Sequence, residues 1–265
     1  MRRFQRDLLA AVAAIGFASV ASAADLPVKA PAYKAPVAPI GYSWTGFYVG
    51  AHAGAGWGSD GSQSATDPAA GPVLGGFDPV TFDHSAKIGA IGGFQLGYNW
   101  QVAPTWLLGV EGDFSFASLD NSNSKAPLTA AVGFVVPGSS LSMSTHVKWL
   151  TSIRGRAGYI WDNNLLYVTG GAAWKNTDFS SQLVALAPFV SQTSFNKTQS
   201  GWVLGGGIDH MFTPNWILGV EYLFYSFGTE SAGAIFKPVL PGAQPIAYTW
   251  KDNVQILRAT LSYKF

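Results

Sequence analysis

From residue 44 onward, hydrophobic and polar positions alternate with a period of two. In one stretch Trp216, Leu218, Val220, Tyr222 and Phe224 fall on one parity, against Gly219, Glu221, Leu223 and Tyr225 on the other. Another sets Trp106, Leu108, Val110, Phe114 and Phe116 against Gly109, Glu111, Asp113 and Ser115. A third sets Val147, Trp149, Ile153, Ala157, Tyr159 and Trp161 against Lys148, Arg154 and Arg156. The last sets Leu257, Ala259, Leu261, Tyr263 and Phe265 against Asp252, Arg258, Thr260 and Lys264. Successive side chains of a β-strand point to opposite faces, so each stretch predicts a strand with one apolar and one polar face.

Eight such stretches are predicted, at about 44–58, 86–100, 105–118, 145–161, 164–176, 199–212, 215–228 and 249–265. Short connections at 101–104, 162–163 and 213–214 carry Pro, Asn and Asp, the residues of tight turns. Long ones at 59–85, 119–144, 177–198 and 229–248 are rich in Ser, Gly, Pro, Ala and Asn. Short and long connections between an even number of strands describe an all-β fold, an eight-stranded antiparallel up-and-down transmembrane β-barrel. Both termini then lie on the short-turn, periplasmic side.

A soluble barrel would show the same alternation, so the position of tryptophan decides between water and lipid. Eight of the ten Trp share the apolar parity. Trp100, Trp106, Trp161 and Trp216 stand beside short turns; Trp57, Trp149, Trp174 and Trp202 stand toward long connections. Trp149 and Trp161 are 12 residues apart, about 40 Å along a strand and about 30 Å once the strand is tilted by roughly 40°. That matches the hydrocarbon thickness of a bilayer, with an aromatic girdle at each interface.

Composition narrows the field further. Charged residues are 12% of the chain, aromatics 14%, and Cys is absent. Disorder favours the opposite balance, and a formal net charge of +1 gives no nucleic-acid footprint. Without Cys there is no disulfide framework, thiol catalysis or zinc–thiolate site.

The start of the chain follows other rules. Arg2, Arg3 and Arg6 precede the apolar run from Leu8 to Val20, and Ala21-Ser22-Ala23 supplies a small-residue cleavage site at Ala21 and Ala23. Residues 1–23 thus read as a cleaved signal peptide, too short in its apolar part to span a bilayer as a helix. Residues 24–43 form a Pro/Ala/Lys-rich periplasmic lead-in, and 44–265 the barrel.

Several segments together carry a resemblance. Trp44-Thr-Gly-Phe-Tyr-Val-Gly50, Arg154-Gly-Arg-Ala-Gly-Tyr159, Leu165-Leu-Tyr-Val-Thr-Gly-Gly171, the two Gly-Val-Glu segments ending at Glu111 and Glu221, and the Phe265 ending resemble the small porin-like outer-membrane proteins of rhizobia and Brucella. These stand with the OmpA-like and opacity-type eight-stranded barrels. The resemblance implies a surface barrel in contact with outer-membrane lipid and lipopolysaccharide. It also implies delivery by periplasmic chaperones to the outer-membrane assembly machinery, with Leu261, Tyr263 and Phe265 as the assembly signal.

The lumen parity gathers Glu111, Asp113, Arg154, Arg156, Asp209, Glu221 and Arg258. An eight-stranded barrel is just wide enough for side chains to fill, and buried charges must be paired. These seven form either a plug of ion pairs or the lining of a narrow polar channel. No catalytic, cofactor-binding or metal site is expected: His52, His84, His146 and His210 are scattered, and the Gly runs at 92–93 and 205–207 lie in strands, not before helices. Three readings follow: a structural surface barrel with a closed lumen, a small diffusion porin, or an adhesin or ligand-binding protein acting through the long connections on a host or surface ligand. The connections themselves are expected to extend the strands as hairpins, with Leu128–Val136 and Leu183–Val190 notably apolar.

Overall fold

The computed structural model describes residues 42–59, 62–66, 79–83, 87–129, 135–184, 189–235 and 245–265. The signal peptide and almost all of the lead-in lie outside the described residues. The strands are β1 (Gly46–Ser59), β2 (Ser62–Thr66), β3 (Val80–Asp83), β4 (Ile88–Ala103), β5 (Trp106–Lys125), β6 (Leu128–Thr129), β7 (Val135–Val136), β8 (Ser140–Trp161), β9 (Asn164–Val184), β10 (Val190–Met211), β11 (Trp216–Ala234) and β12 (Ile246–Lys264). Among the described residues there is no helix.

Eight of these strands close a ring in the order β1-β4-β5-β8-β9-β10-β11-β12, all neighbours antiparallel, with β12 returning to β1. Closure runs from Tyr48↔Lys264 to Ser59↔Asn253, so no strand edge is left where the wall meets hydrocarbon. Val49, Phe94, Leu96, Val110, Ile153, Val168, Leu204, Leu218, Val220 and Leu257 face outward and are exposed. The predicted fold and its strand count hold.

The interior is stratified. Beside the short turns lies an apolar layer of Trp44, Leu107, Ile160, Leu165, Met211 and Ile217. The charged side chains come next. Above them a second apolar layer joins Ile91, Leu150, Val203, Leu223, Tyr225 and Ile256. A third, built on Leu141, Met143, Phe179, Leu183, Tyr248 and Trp250, lies beyond the outer tryptophans.

That third layer departs from the predicted loops. The stretches 119–144, 177–198 and 229–248 are largely strand: β5, β9 and β11 run on, while β8, β10 and β12 begin early. Extended hairpins were one expectation, but their bounds are several residues longer than the polar composition suggested. Above the bilayer the outer face meets water, so the alternation inverts. Ser142, Ser144 and His146 point out, while Leu141, Met143 and Val147 point in. Leu128, Val136 and Leu183, apolar residues of the long connections, are buried.

In β8 the inversion comes with a change of parity. Its pairing with β9 shifts between Val147 and Trp149, the signature of an extra residue, Lys148; against β5 the shift lies between Phe116 and Leu119, with the extra residue on β5. Val147 and Lys148 therefore exchange the faces predicted for them: Val147 is buried, and Lys148 is half exposed on an ion pair with Asp178 at 2.8 Å.

Above this level the wall divides. The β10–β11 ladder stops at Trp202↔Ser226, and the β4–β5 ladder stops at Ile91↔Ala117. The upper arms of β5, β8, β9 and β10 form one sheet; those of β11 and β12 continue through β2 and β3 as another. Phe179 and Phe195 of the first sheet pack on Trp250 of the second, with centroids 5.4 and 5.6 Å apart.

Candidate functional site

All seven predicted lumen charges meet inside the ring, each at 6% exposure or less. Antiparallel register makes the first pairs directly, since Glu111 stands opposite Arg154 and Glu221 opposite Arg258. Cross-strand neighbours share a face, so these contacts follow from strand order alone. Arg154 is the hub: Nη1 donates to Glu221 Oε1 at 2.7 Å, and Nη2 donates to Glu111 and lies 3.2 Å from Asp113 Oδ2. Arg258 donates from Nε to Glu221 Oε2 at 2.8 Å and reaches Asp113 Oδ1 at 3.5 Å. Arg156 joins Asp209 at 3.0 Å and Glu111 at 3.4 Å.

Uncharged donors complete the set. Tyr48 donates to Glu111 at 2.6 Å, and Ser152 donates to Asp113. His52 Nε2 lies 2.8 Å from Ser115 Oγ and 3.3 Å from Arg258 Nη1. The Arg156 guanidinium sits between the rings of Tyr48, at 5.3 Å, and Tyr167, at 4.6 Å, where cation–π attraction adds to its ion pairs. Tyr167 finds room because Gly207 carries no side chain; a Cβ there would lie 2.7 Å from the Tyr167 hydroxyl. A void of about 10 Å³ beside Tyr48, Asn99, Arg156 and Asp209 holds about one water molecule.

Sequence reasoning collected the charges and passed over Tyr48, Ser152 and Tyr167. The signal was present for the first, because Tyr48 and His52 alternate with glycines on the lumen parity of β1. Tyr167 gave none, since only the fold reveals that it lies across Gly207.

The predicted girdle residues line the outer surface in two groups. Trp100, Trp106, Trp161 and Trp216 are exposed beside the short turns, and Trp202 is exposed at the upper level; Trp57, Trp149 and Trp174 are half-buried there. Trp106 packs edge-on against Tyr159 at 5.7 Å, and Trp149 stacks on Phe114 at 5.8 Å. The two remaining tryptophans, Trp44 and Trp250, are buried inside. Leu261, Tyr263 and Phe265 are exposed on the outer face, with Tyr263 edge-on to Trp216 at 5.3 Å and to Phe265 at 5.3 Å. Lys264, on the polar parity of the last strand, is buried at 7% exposure, and its backbone N–H and C=O are both bonded to Asn215.

On the outside of the upper sheet a polar row crosses four strands. Asp120, His146, Asp178 and Asn196 are successive register partners. His146 Nδ1 lies 2.5 Å from Asp120, and Asn196 donates to Asp178 at 2.6 Å. The Asn196 amide and then the Lys148 ammonium hold the Asp178 carboxyl below the usual range. Among the described residues no group of three His, Asp or Glu is arranged to hold a metal ion.

Comparison with known proteins agrees with this architecture. Residues 10–265 match the model of the outer membrane protein beta-barrel domain. The chain is 32% identical over 260 residues to the 31 kDa outer-membrane immunogenic protein of Brucella melitensis biotype 1, covering 97% of this chain and 98% of that one. It is 28% identical over 199 residues to the 22 kDa outer membrane protein of Rhizobium leguminosarum bv. viciae, covering 75% and 71%. Among solved structures, the outer membrane protease OmpT of Escherichia coli aligns at 12% identity with a TM-score of 0.47, over 85% of this chain and 99% of that one. With a closed ring of eight strands and a family match spanning nearly its whole length, the chain belongs to the outer membrane protein β-barrel family.

Proposed function

We propose that this outer-membrane barrel is a closed structural element of the envelope, which presents a folded two-sheet crown at the cell surface and performs no catalysis. One observation carries the reading: the charged layer is sealed between apolar layers. Below it stand Trp44, Leu107 and Met211, each at 0% exposure; above it stand Leu150, Leu223 and Ile256, also at 0%. A permeating ion must be offered polar groups continuously in exchange for its hydration shell. The charges available to line a pore are engaged with one another instead.

The same reading assigns the remaining parts. The short-turn end and both termini are periplasmic, and the water-facing crown is extracellular. The exposed row Leu261, Tyr263 and Phe265 is the strand feature offered to the assembly machinery. The outer wall contacts lipid, and lipopolysaccharide surrounds the crown base, where Lys148 and Lys197 stand on the exposed rim. Proteoliposomes test the reading by swelling in isosmotic sugar. Vesicles holding the barrel are expected to swell no faster than empty ones, and rates rising with protein content would favour a diffusion porin.

A further inference from the structure

A furrow of about 790 Å³ crosses the outer wall in the part that faces hydrocarbon. Its outward lining follows two neighbouring rows of register partners. The lower row runs Trp216, Tyr263, Val49, Leu96, Gly112 and Ile153, from β11 through β12, β1, β4 and β5 to β8. The row above it begins at Leu261, passes Ala51 and Phe114, and ends at Thr151. Such rows run across the strands, and the strands are tilted, so the furrow climbs the wall obliquely. Trp216 opens β11 at the short-turn end, whereas Ile153 stands 8 residues from Trp161, the end of β8. That is a rise of about 20 Å at roughly 3.3 Å per residue and 40° of tilt, past the middle of a core about 30 Å thick.

Two small residues make the hollow. Ala51 is exposed, and a Cβ at Gly112 would find Ser152 O as its nearest neighbour, at 3.8 Å. Gly112 thus supplies space on the outer face and is not required by close packing. Polar side chains behind the furrow point the other way: Gln95 donates to Ser262, and Ser152 donates to Asp113. At the upper end the Thr151 hydroxyl is engaged with Asp113 O at 2.6 Å. There too, Phe114 packs with Phe116 at 5.1 Å and Trp149 at 5.8 Å, an aromatic cluster between the furrow and the outer interface. The lower end differs. It offers the Trp216 indole and the Tyr263 hydroxyl, at the level where interfacial aromatics meet lipid head groups.

A guest of this furrow is apolar along its length and polar at the end nearest the short turns. A second copy of the chain fits badly, since a two-fold contact sets a patch against itself and two concave furrows would leave a void. We propose that the furrow seats one acyl chain of a phospholipid of the periplasmic leaflet. The assignment to that leaflet rests on the orientation proposed above, with the short turns in the periplasm.

Native mass spectrometry of the full chain refolded in detergent tests this, with palmitoyl-oleoyl phosphatidylethanolamine and lipid A as separate probes. Saturable retention of one phospholipid per chain is expected. Ala51→Leu and Gly112→Leu, which fill the furrow from outside the barrel, should each weaken retention about tenfold, the effect of displacing two methylene groups. Ala172→Leu, the same kind of change at an exposed position of β9 outside the furrow, should retain the lipid like the unaltered protein. If Gly112→Leu fails to fold, Ala51→Phe takes its place. No saturable retention, or equal retention in every variant, would overturn the site and leave the orientation standing. Preference for lipid A, lost on filling the furrow, would overturn the leaflet assignment and the orientation with it.

Discussion

Arg154 touches three carboxylates, Glu111, Asp113 and Glu221, with a side chain that has no exposed surface. Removing one member of a buried charge cluster leaves the others uncompensated, at a cost of about 3–5 kcal/mol. Arg154→Met is therefore expected to lower barrel stability by that amount in urea unfolding from micelles. A double cycle with Glu221→Gln should show coupling of about 0.5–3 kcal/mol, and additive losses would deny the hub. Asp178 is a gentler case, exposed and held by Asn196 and Lys148. Its folded value is depressed, so its contribution is present above the unfolded value, about 3.9, and is lost as pH falls through the lower folded one. A carboxyl-carbon titration should place its midpoint below that of an unpaired aspartate, moving up in Asn196→Ala. These charges were legible from parity alone. What parity could not convey was the Tyr48 and Tyr167 bracket around Arg156, which depends on glycines in neighbouring strands.

Strand β8 shows where pattern reading succeeds and where it stops. Below Trp149 the odd residues face outward, as the sequence predicts; above it they face inward, and Val147 is buried. The reversal comes from a single extra residue, invisible without its partners, since a one-residue slip moves every side chain to the other face. The Ser-rich run from Ser140 to Thr145 also concealed a strand, because outside the bilayer an outer face is polar. Deleting Lys148 would join Trp149 to Val147 by plain alternation, with Leu141, Met143 and Thr145 still inward. The expected result is a crown as resistant to protease as in the unaltered protein. Inserting one residue between Ser144 and Thr145 would instead turn Leu141 and Met143 outward, and a crown equally resistant in that variant would contradict the register assigned to β8.

At the scale of the whole molecule two environments are stacked along one set of strands. In the lower part the wall is apolar outside and charged within; in the crown it is polar outside and apolar within. The ring, its strand order and the tryptophan levels followed from period two and from turn chemistry. The division of the crown into two sheets did not, because it depends on where the β10–β11 and β4–β5 ladders stop. The central claim is that the stratified interior admits no ions, and planar-bilayer recording tests it directly. Purified protein inserted into a bilayer is expected to give a baseline without discrete conductance steps. A variant with Leu150, Leu223 and Ile256 replaced by serine, which opens the upper apolar layer, should conduct no more than sporadically while the charge layer remains paired. Reproducible ohmic steps from the unaltered protein would contradict the account.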